Sequence, residues 1–222
     1  MHPSAEHVDV GWWGDPVDDP DVPTLVMLHG WGANGADLVG LLPVIGSFLP
    51  GVTAKVLVVR GFFPLPERPG GMSWFPGSVM HQPSAAAIAE TADRLVDVVG
   101  RHTNGAVWLG FSQGMGAALA VLRRRPELVR GLVGLSGFTF AAAQPGDARL
   151  LAAVAAGHGV PAFYGRDPHD PVIPGLVADW VLDFLRRHTA LTERSYPGMG
   201  HSVSPEEIAD LAGFLTPLLT PA

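Results

Sequence analysis

The sequence predicts a single α/β domain, a mostly parallel sheet covered by helices on both faces. Three observations carry this. Short, continuously apolar runs alternate with longer stretches of helical spacing, as expected of strands buried on both sides. The 222 residues are 47% hydrophobic and only 16% charged, enough apolar material for one large core. No internal repeat, charge run or linker divides the chain, so residues 1–222 read as one domain, with 1–22 an extended or peripheral N-terminal segment.

Residues 24–29 (TLVMLH) read as the first buried strand, followed by a Gly-rich turn and a helix from Asp37 to Leu49. Residues 54–60 form the second strand, and a loop rich in Pro and Gly runs from Gly61 to Pro83. From Ser84 to Arg101 the spacing is helical, with Ile88, Leu95, Val98 and Val99 on one side and Glu90, Asp93 and Arg94 elsewhere. Residues 106–111 are a third strand, leading into a helix of small residues that must stop at Pro126. Residues 131–136 and 160–164 supply two further strands. A helix from Pro174 to His188 leads to a weaker strand at 192–196. Ser204, with Pro205 after it and Glu206 and Glu207 in the first turn, opens the last helix.

Composition removes several function classes. Lys+Arg total 14 against Asp+Glu 21, a net charge of −7, which is not the footprint of a nucleic-acid or anionic-membrane binder. Zero cysteines exclude disulfides, thiolate metal sites and a Cys nucleophile. Residues 1–23 carry acids and prolines where a signal peptide needs a basic start and an apolar run. No stretch approaches the roughly 20 apolar residues of a membrane span; residues 141–156 are broken by Gln144, Pro145, Gly146, Asp147 and Arg149. The expectation is a cytoplasmic protein without integral membrane association.

The chemistry starts at Gly110-Phe-Ser-Gln-Gly114, a G-x-S-x-G lying directly between a buried strand and a small-residue helix. That is the setting of a nucleophile elbow, where a Ser in a strained backbone conformation stands at a sharp turn and glycines let neighbouring segments approach. A Ser hydroxyl is a poor nucleophile alone and needs a base and an orienting acid. Of the nine histidines, His2 and His7 lie near the N-terminus, and His81, His102, His158, His169 and His188 fall in loops or at helix ends. His201 differs. It sits in a Gly-rich loop between the last strand and the last helix, the final member of the order Ser, acid, His.

Residues 163–174 offer two acids, Asp167 and Asp170, and each could instead cap backbone amides as turn-forming Asp residues do. Asp170 is the better placed. Asp167 lies in the turn-like Gly165-Arg-Asp-Pro168, where it can satisfy local amides or pair with Arg166, whereas Asp170 follows that turn and precedes the next helix. The oxyanion of a tetrahedral intermediate needs two backbone N–H donors; Gln113, after the nucleophile, and Trp31, in His29-Gly-Trp-Gly-Ala33, supply them. His29, at a strand end, reads as a hydrogen-bonding support of that loop.

Together these residues resemble the carboxylesterase/phospholipase family of α/β-hydrolases, which includes the acyl-protein thioesterases. The matching motifs are Leu28-His-Gly-Trp-Gly32 with Asp37 beyond it, Ser73-Trp-Phe75, Gly110-Phe-Ser-Gln-Gly-Met115, Asp170-Pro-Val-Ile-Pro174 and Gly198-Met-Gly-His201. They extend from residue 24 to about 218. The resemblance implies an α/β-hydrolase fold with no large cap domain, hydrolysing carboxylic esters, and thioesters or lysophospholipids by extension, with no cofactor and no metal. Two departures stand out. Trp31 occupies a position where acyl-protein thioesterases are expected to carry a smaller aliphatic residue, and Pro76 stands where an acidic residue often follows Trp-Phe; both favour a general esterase.

The function expected is thus a serine esterase with Ser112, Asp170 and His201 as its triad, acting on a small-molecule ester as a monomer or homodimer. Trp31, Trp74, Phe75, Met115, Phe138 and Met199 are candidates for the acyl pocket, against ordinary core packing. A serine peptidase or amidase on the same fold competes with it. So, from another class, does a non-catalytic binding protein, which would have no need of all three triad residues.

Overall fold

The computed structural model describes residues 8–19, 21–76 and 83–220. Seven strands form the central sheet: β1 (Val8–Trp13), β2 (Thr24–Leu28), β3 (Ala54–Val59), β6 (Ala106–Phe111), β7 (Val129–Leu135), β8 (Pro161–Arg166) and β9 (Ala190–Ser195). Their order is β1-β3-β2-β6-β7-β8-β9, with β1 antiparallel to β3 and every other pairing parallel. A separate two-stranded ribbon, β4 (Phe63–Pro64) with β5 (Met72–Ser73), lies in the long loop after β3.

Alternate residues of each central strand enter two different cores. Val26 and Leu28 of β2, Leu57 and Val59 of β3, and Trp108 of β6 face α3 (Ala85–Val99), α4 (Gln113–Arg124), α5 (Asp147–Ala155) and α6 (Gly175–His188). Leu25, Met27, Val56, Val58, Val107 and Leu109 face α1 (Ala36–Val39), α2 (Leu42–Ser47) and α7 (Pro205–Leu219). Burying each such side chain stabilises by about 1.5–3 kcal/mol. This is why the central strands carry no polar alternation: both of their faces are interior.

The helix signals hold at their starts. Ser84 accepts the Ala87 N–H at 3.2 Å and Ser204 accepts the Glu207 N–H at 3.1 Å, so each caps its helix. Three elements differ from expectation. The helix expected over 37–49 is two short ones, α1 and α2, broken at Gly40-Leu41. Pro43 sits in the first turn of α2, where its missing N–H costs nothing, whereas in a continuous helix that missing donor would leave a gap in the hydrogen-bond ladder. Residues 8–13 form a strand that hydrogen bonds along β3 and whose Trp13 packs against Gly46 while donating to Leu42 O at 3.0 Å. And α5 forms within a stretch that the apolar pattern left unassigned. Residues 77–82, including His81, lie outside the described residues, as do His2 and His7.

Among the described residues no helix is long and apolar enough to cross a membrane.

Candidate active site

The three triad candidates Ser112, Asp170 and His201 lie between elements, at the carboxyl edge of the sheet. Ser112 joins β6 to α4 with φ 52° and ψ −118°, a left-handed conformation that costs a non-glycine residue about 1–3 kcal/mol. The flanking glycines are required by contact rather than by conformation. A Cβ on Gly110 would lie 2.2 Å from the Gly114 carbonyl carbon, and one on Gly114 would lie 2.1 Å from Leu28 O. The turn is further held by Ser112 N–H donating to Leu135 O at 3.0 Å.

His201 lies between β9 and α7, in a loop where Gly198 and Gly200 have φ of 86° and 68°. Its Nδ1–H donates to Asp170 Oδ2 at 2.8 Å, which leaves the lone pair on Nε2. Asp170 Oδ1 accepts the N–H groups of Val172 (2.7 Å) and Ile173 (3.0 Å). Burial alone would raise the Asp170 carboxyl, but His201 and these two amides hold it below the usual carboxylate range. The imidazole lies against Phe111, the residue before Ser112, at 5.0 Å between ring centroids. Among the described residues His201 is bonded to Asp170, and no hydrogen bond joins Ser112 to His201.

The other acid, Asp167, is also buried and accepts the Gly200 N–H at 2.7 Å and the His169 N–H at 2.8 Å. Those amides hold its carboxyl below the usual range. Arg166 does not pair with it: the guanidinium donates to the carbonyls of Asp167 and Pro168.

Gly30 brings the loop after β2 close to Ser112, since a Cβ there would lie 3.0 Å from the Phe111 ring and 3.5 Å from Ser112 Cβ. Among the described residues the backbone N–H groups of Trp31 and Gln113 have no hydrogen-bond partner. His29 is structural: its Nδ1–H donates to Gly30 O at 2.7 Å and its Nε2 accepts the Gly61 N–H at 2.9 Å. Burial lowers its pKa, which keeps it in the neutral form those two bonds need. The Gln113 side chain anchors the Ser73-Trp74-Phe75 element, its Oε1 accepting from Trp74 N–H at 3.0 Å and from Ser73 Oγ at 3.2 Å.

The six apolar pocket candidates divide. Trp74, Phe75 and Met115 are core side chains, 0%, 3% and 0% exposed. Trp74 Nε1 donates to His29 O, Phe75 stacks edge-on against Phe140, and Met115 fills the space over Gly134 and Gly137. Trp31, Phe138 and Met199 are partly exposed and can meet a ligand. The indole N–H of Trp31 is enclosed without a partner among the described residues.

One buried acid escaped the sequence reading. Glu207 looked like an ordinary first-turn acid, yet it is 0% exposed and neither carboxyl oxygen has a partner among the described residues. Only its place four residues before Leu211, on the buried stripe of α7, could have signalled this. No group of three or more His, Asp or Glu among the described residues is arranged to hold a metal ion.

A parallel sheet with helices on both faces, a Ser at a strained strand–helix turn and an Asp–His pair on later loops define an α/β-hydrolase. The chain belongs to the phospholipase/carboxylesterase family, whose profile matches residues 16–219. Acyl-protein thioesterase 1 of Kluyveromyces lactis is 34% identical over 113 residues, 50% of this chain and 48% of that protein. The protein of the same name from Saccharomyces cerevisiae is 35% identical over 111 residues, 48% of this chain and 46% of its own. The matched stretch spans about half the length of these curated relatives. Among solved structures, a Bacillus cereus carboxylesterase aligns with TM-score 0.73 and 17% identity over 95% of this chain and 94% of its own. Zea mays acyl-protein thioesterase 2 aligns with TM-score 0.69 and 20% identity over 96% and 99%. At these identities the structural likeness is one of fold.

Proposed function

We propose that the protein is a serine esterase acting on small-molecule carboxylic esters through an acyl-enzyme. Ser112 Oγ attacks the carbonyl carbon while His201 Nε2 takes its proton, and His201 then returns that proton to the leaving alcohol. Asp170 keeps the imidazole in the Nδ1–H tautomer and stabilises the imidazolium. The free N–H groups of Trp31 and Gln113 hold the oxyanion. Water, activated in turn by His201, releases the acid and restores Ser112.

The observation that carries this reading is the 2.8 Å bond from His201 to a buried Asp170, on loops converging on a serine in an elbow conformation. Trp31, Phe138 and Met199 are the side chains that would meet the acyl or alcohol group. Thioesters and lysophospholipids share the same acyl chemistry and fall within the reading. Only residues 136–146 lie between β7 and α5, too few for a helical cap, so the site is open to soluble substrates. A cytoplasmic location and a monomer or homodimer complete the proposal.

The test is labelling by a fluorophosphonate probe beside a p-nitrophenyl ester series from short to long acyl chains, with an acyl-CoA and a lysophospholipid. Labelling and turnover should both vanish in Ser112→Ala. For His201→Ala the loss in kcat should be on the order of 10⁴ to 10⁶. Folded wild-type protein that neither labels nor hydrolyses any of these substrates would instead point to a non-catalytic binding protein.

A further inference from the structure

The base of the proposed reaction sits on a glycine-rich loop between β9 and α7. Gly198 and Gly200 both take positive φ, and a Cβ built at either meets nothing within 4 Å, so their Cβ sides face open space. Side-chain bonds from the Tyr196 hydroxyl to Asp210 Oδ2 at 2.9 Å and from His201 to Asp170 hold the segment from Tyr196 to Ser202, together with contacts of its backbone. At its entry Tyr196 N–H donates to Arg166 O at 2.9 Å, and Met199 N–H closes a turn onto Tyr196 O at 3.2 Å. Next to His201 itself, the Gly200 N–H donates to Asp167 Oδ2 at 2.7 Å. On the other side Ser136 Oγ reaches Ser202 O at 3.4 Å, a weaker contact.

We infer that Asp167 is a positioning residue for the base: it ties the backbone beside His201 to the loop that carries Asp170, so that acid and base are held as one unit. This rests on the esterase reading for its consequence in turnover, though the tether itself does not. The carboxylate suits this use because it has two acceptor oxygens. One takes Gly200, while the other takes the N–H of His169, the residue before Asp170. Asp170 N–H in turn closes onto Asp167 O at 3.3 Å. Asp167 is only 2% exposed, so water does not compete for these bonds. The two acids of one short loop therefore divide the work. Asp170 holds the ring, and Asp167 holds the main chain that aims it.

Asp167→Asn tests this, because an amide keeps the shape but offers a single acceptor oxygen, and its NH₂ must face one of the two N–H donors. Misplacing a catalytic group by about 1 Å costs on the order of a hundredfold. The expected result is a loss in kcat of about tenfold to a hundredfold with KM within about twofold of wild type. With it should come faster amide exchange at Gly200 and a broadened low-field proton signal from His201 Nδ1–H. Asp167→Ala is measured in parallel, so that the outcome does not hang on one variant folding.

Wild-type kcat in Asp167→Asn would overturn the inference. So would a slower enzyme whose Gly200 exchange and His201 proton signal are unchanged, since a merely structural role leaves those two readings alone. Amide exchange and the imidazole signal need no substrate. If wild-type protein shows no Ser112-dependent turnover, the esterase reading falls while these two readings still decide the role of Asp167.

Discussion

Glu207→Gln should remove a strong pH dependence of stability. Burial, with no hydrogen-bond partner on either carboxyl oxygen among the described residues, pushes Glu207 up to about 8 from an ordinary 4.5. The folded state therefore keeps a proton that the unfolded chain gives up near 4.5. The linked stabilisation is fully present below about 4.5 and is lost progressively as pH rises through about 8. An interval of about three and a half pH units, at about 1.4 kcal/mol each, makes roughly 5 kcal/mol. That is a large part of the 5–15 kcal/mol typical of a folded domain. Tyr164 and Tyr196, the titratable neighbours on β8 and after β9, are both pushed upward by burial and stay neutral in this window. Gln keeps the size and carries no proton to lose. Its own buried amide costs about 1–3 kcal/mol, but equally at every pH. Urea unfolding of both proteins at intervals from pH 5 to 8 measures the effect. The stability of wild type relative to Glu207→Gln should fall by about 4 kcal/mol across that range. Parallel curves would refute the assignment of a protonated, unpartnered acid.

Three further outcomes are expected. Gly165→Ala places a Cβ 2.1 Å from Glu207 Oε1 and should destabilise by about 1–3 kcal/mol; most of that should be recovered when Glu207→Ala is added, which a double-mutant cycle of unfolding energies reads directly. Asp170→Asn should lower kcat on the order of 10⁴, because the amide favours the wrong tautomer of His201, and near-wild-type turnover would remove Asp170 from the triad. Rates on soluble short- and medium-chain esters should show no jump at the critical micelle concentration; a sharp jump would mean that a segment moves to open the site.

Much of the fold was legible because its strands are buried on both sides. The runs at 24–29, 54–60 and 106–111 differ from the observed strands by a residue or none, since an uninterrupted apolar run has no other stable home in a domain of this size. The edge strand Val8–Trp13 was not legible. It is half exposed, and its partner β3 lies some forty residues further along the chain, so nothing local announces the pairing. The break in the expected helix over 37–49 depended on Pro43, whose effect is local and was readable, but also on Trp13 docking against Gly46, which was not.

Local chemistry determined the elbow. A strand, two glycines around a serine and a small-residue helix require one another whatever surrounds them, because Cβ atoms at 110 and 114 have no room. The same holds for the helix caps at Ser84 and Ser204, whose partners lie three residues away. What tertiary structure decided are the relations between distant segments. Two Asp residues three apart look alike in sequence, and only the folded loop directs Asp170 to the His201 ring and Asp167 to the Gly200 amide. Likewise Trp74 and Met115 are pocket candidates by motif but core side chains by packing, and Glu207 is a helix-start acid by position but a buried one by fold. The physical reason is common to all of them. Backbone conformation and capping are set by neighbours in sequence, whereas burial and the partner of a long-range hydrogen bond are set by what the sheet order brings alongside.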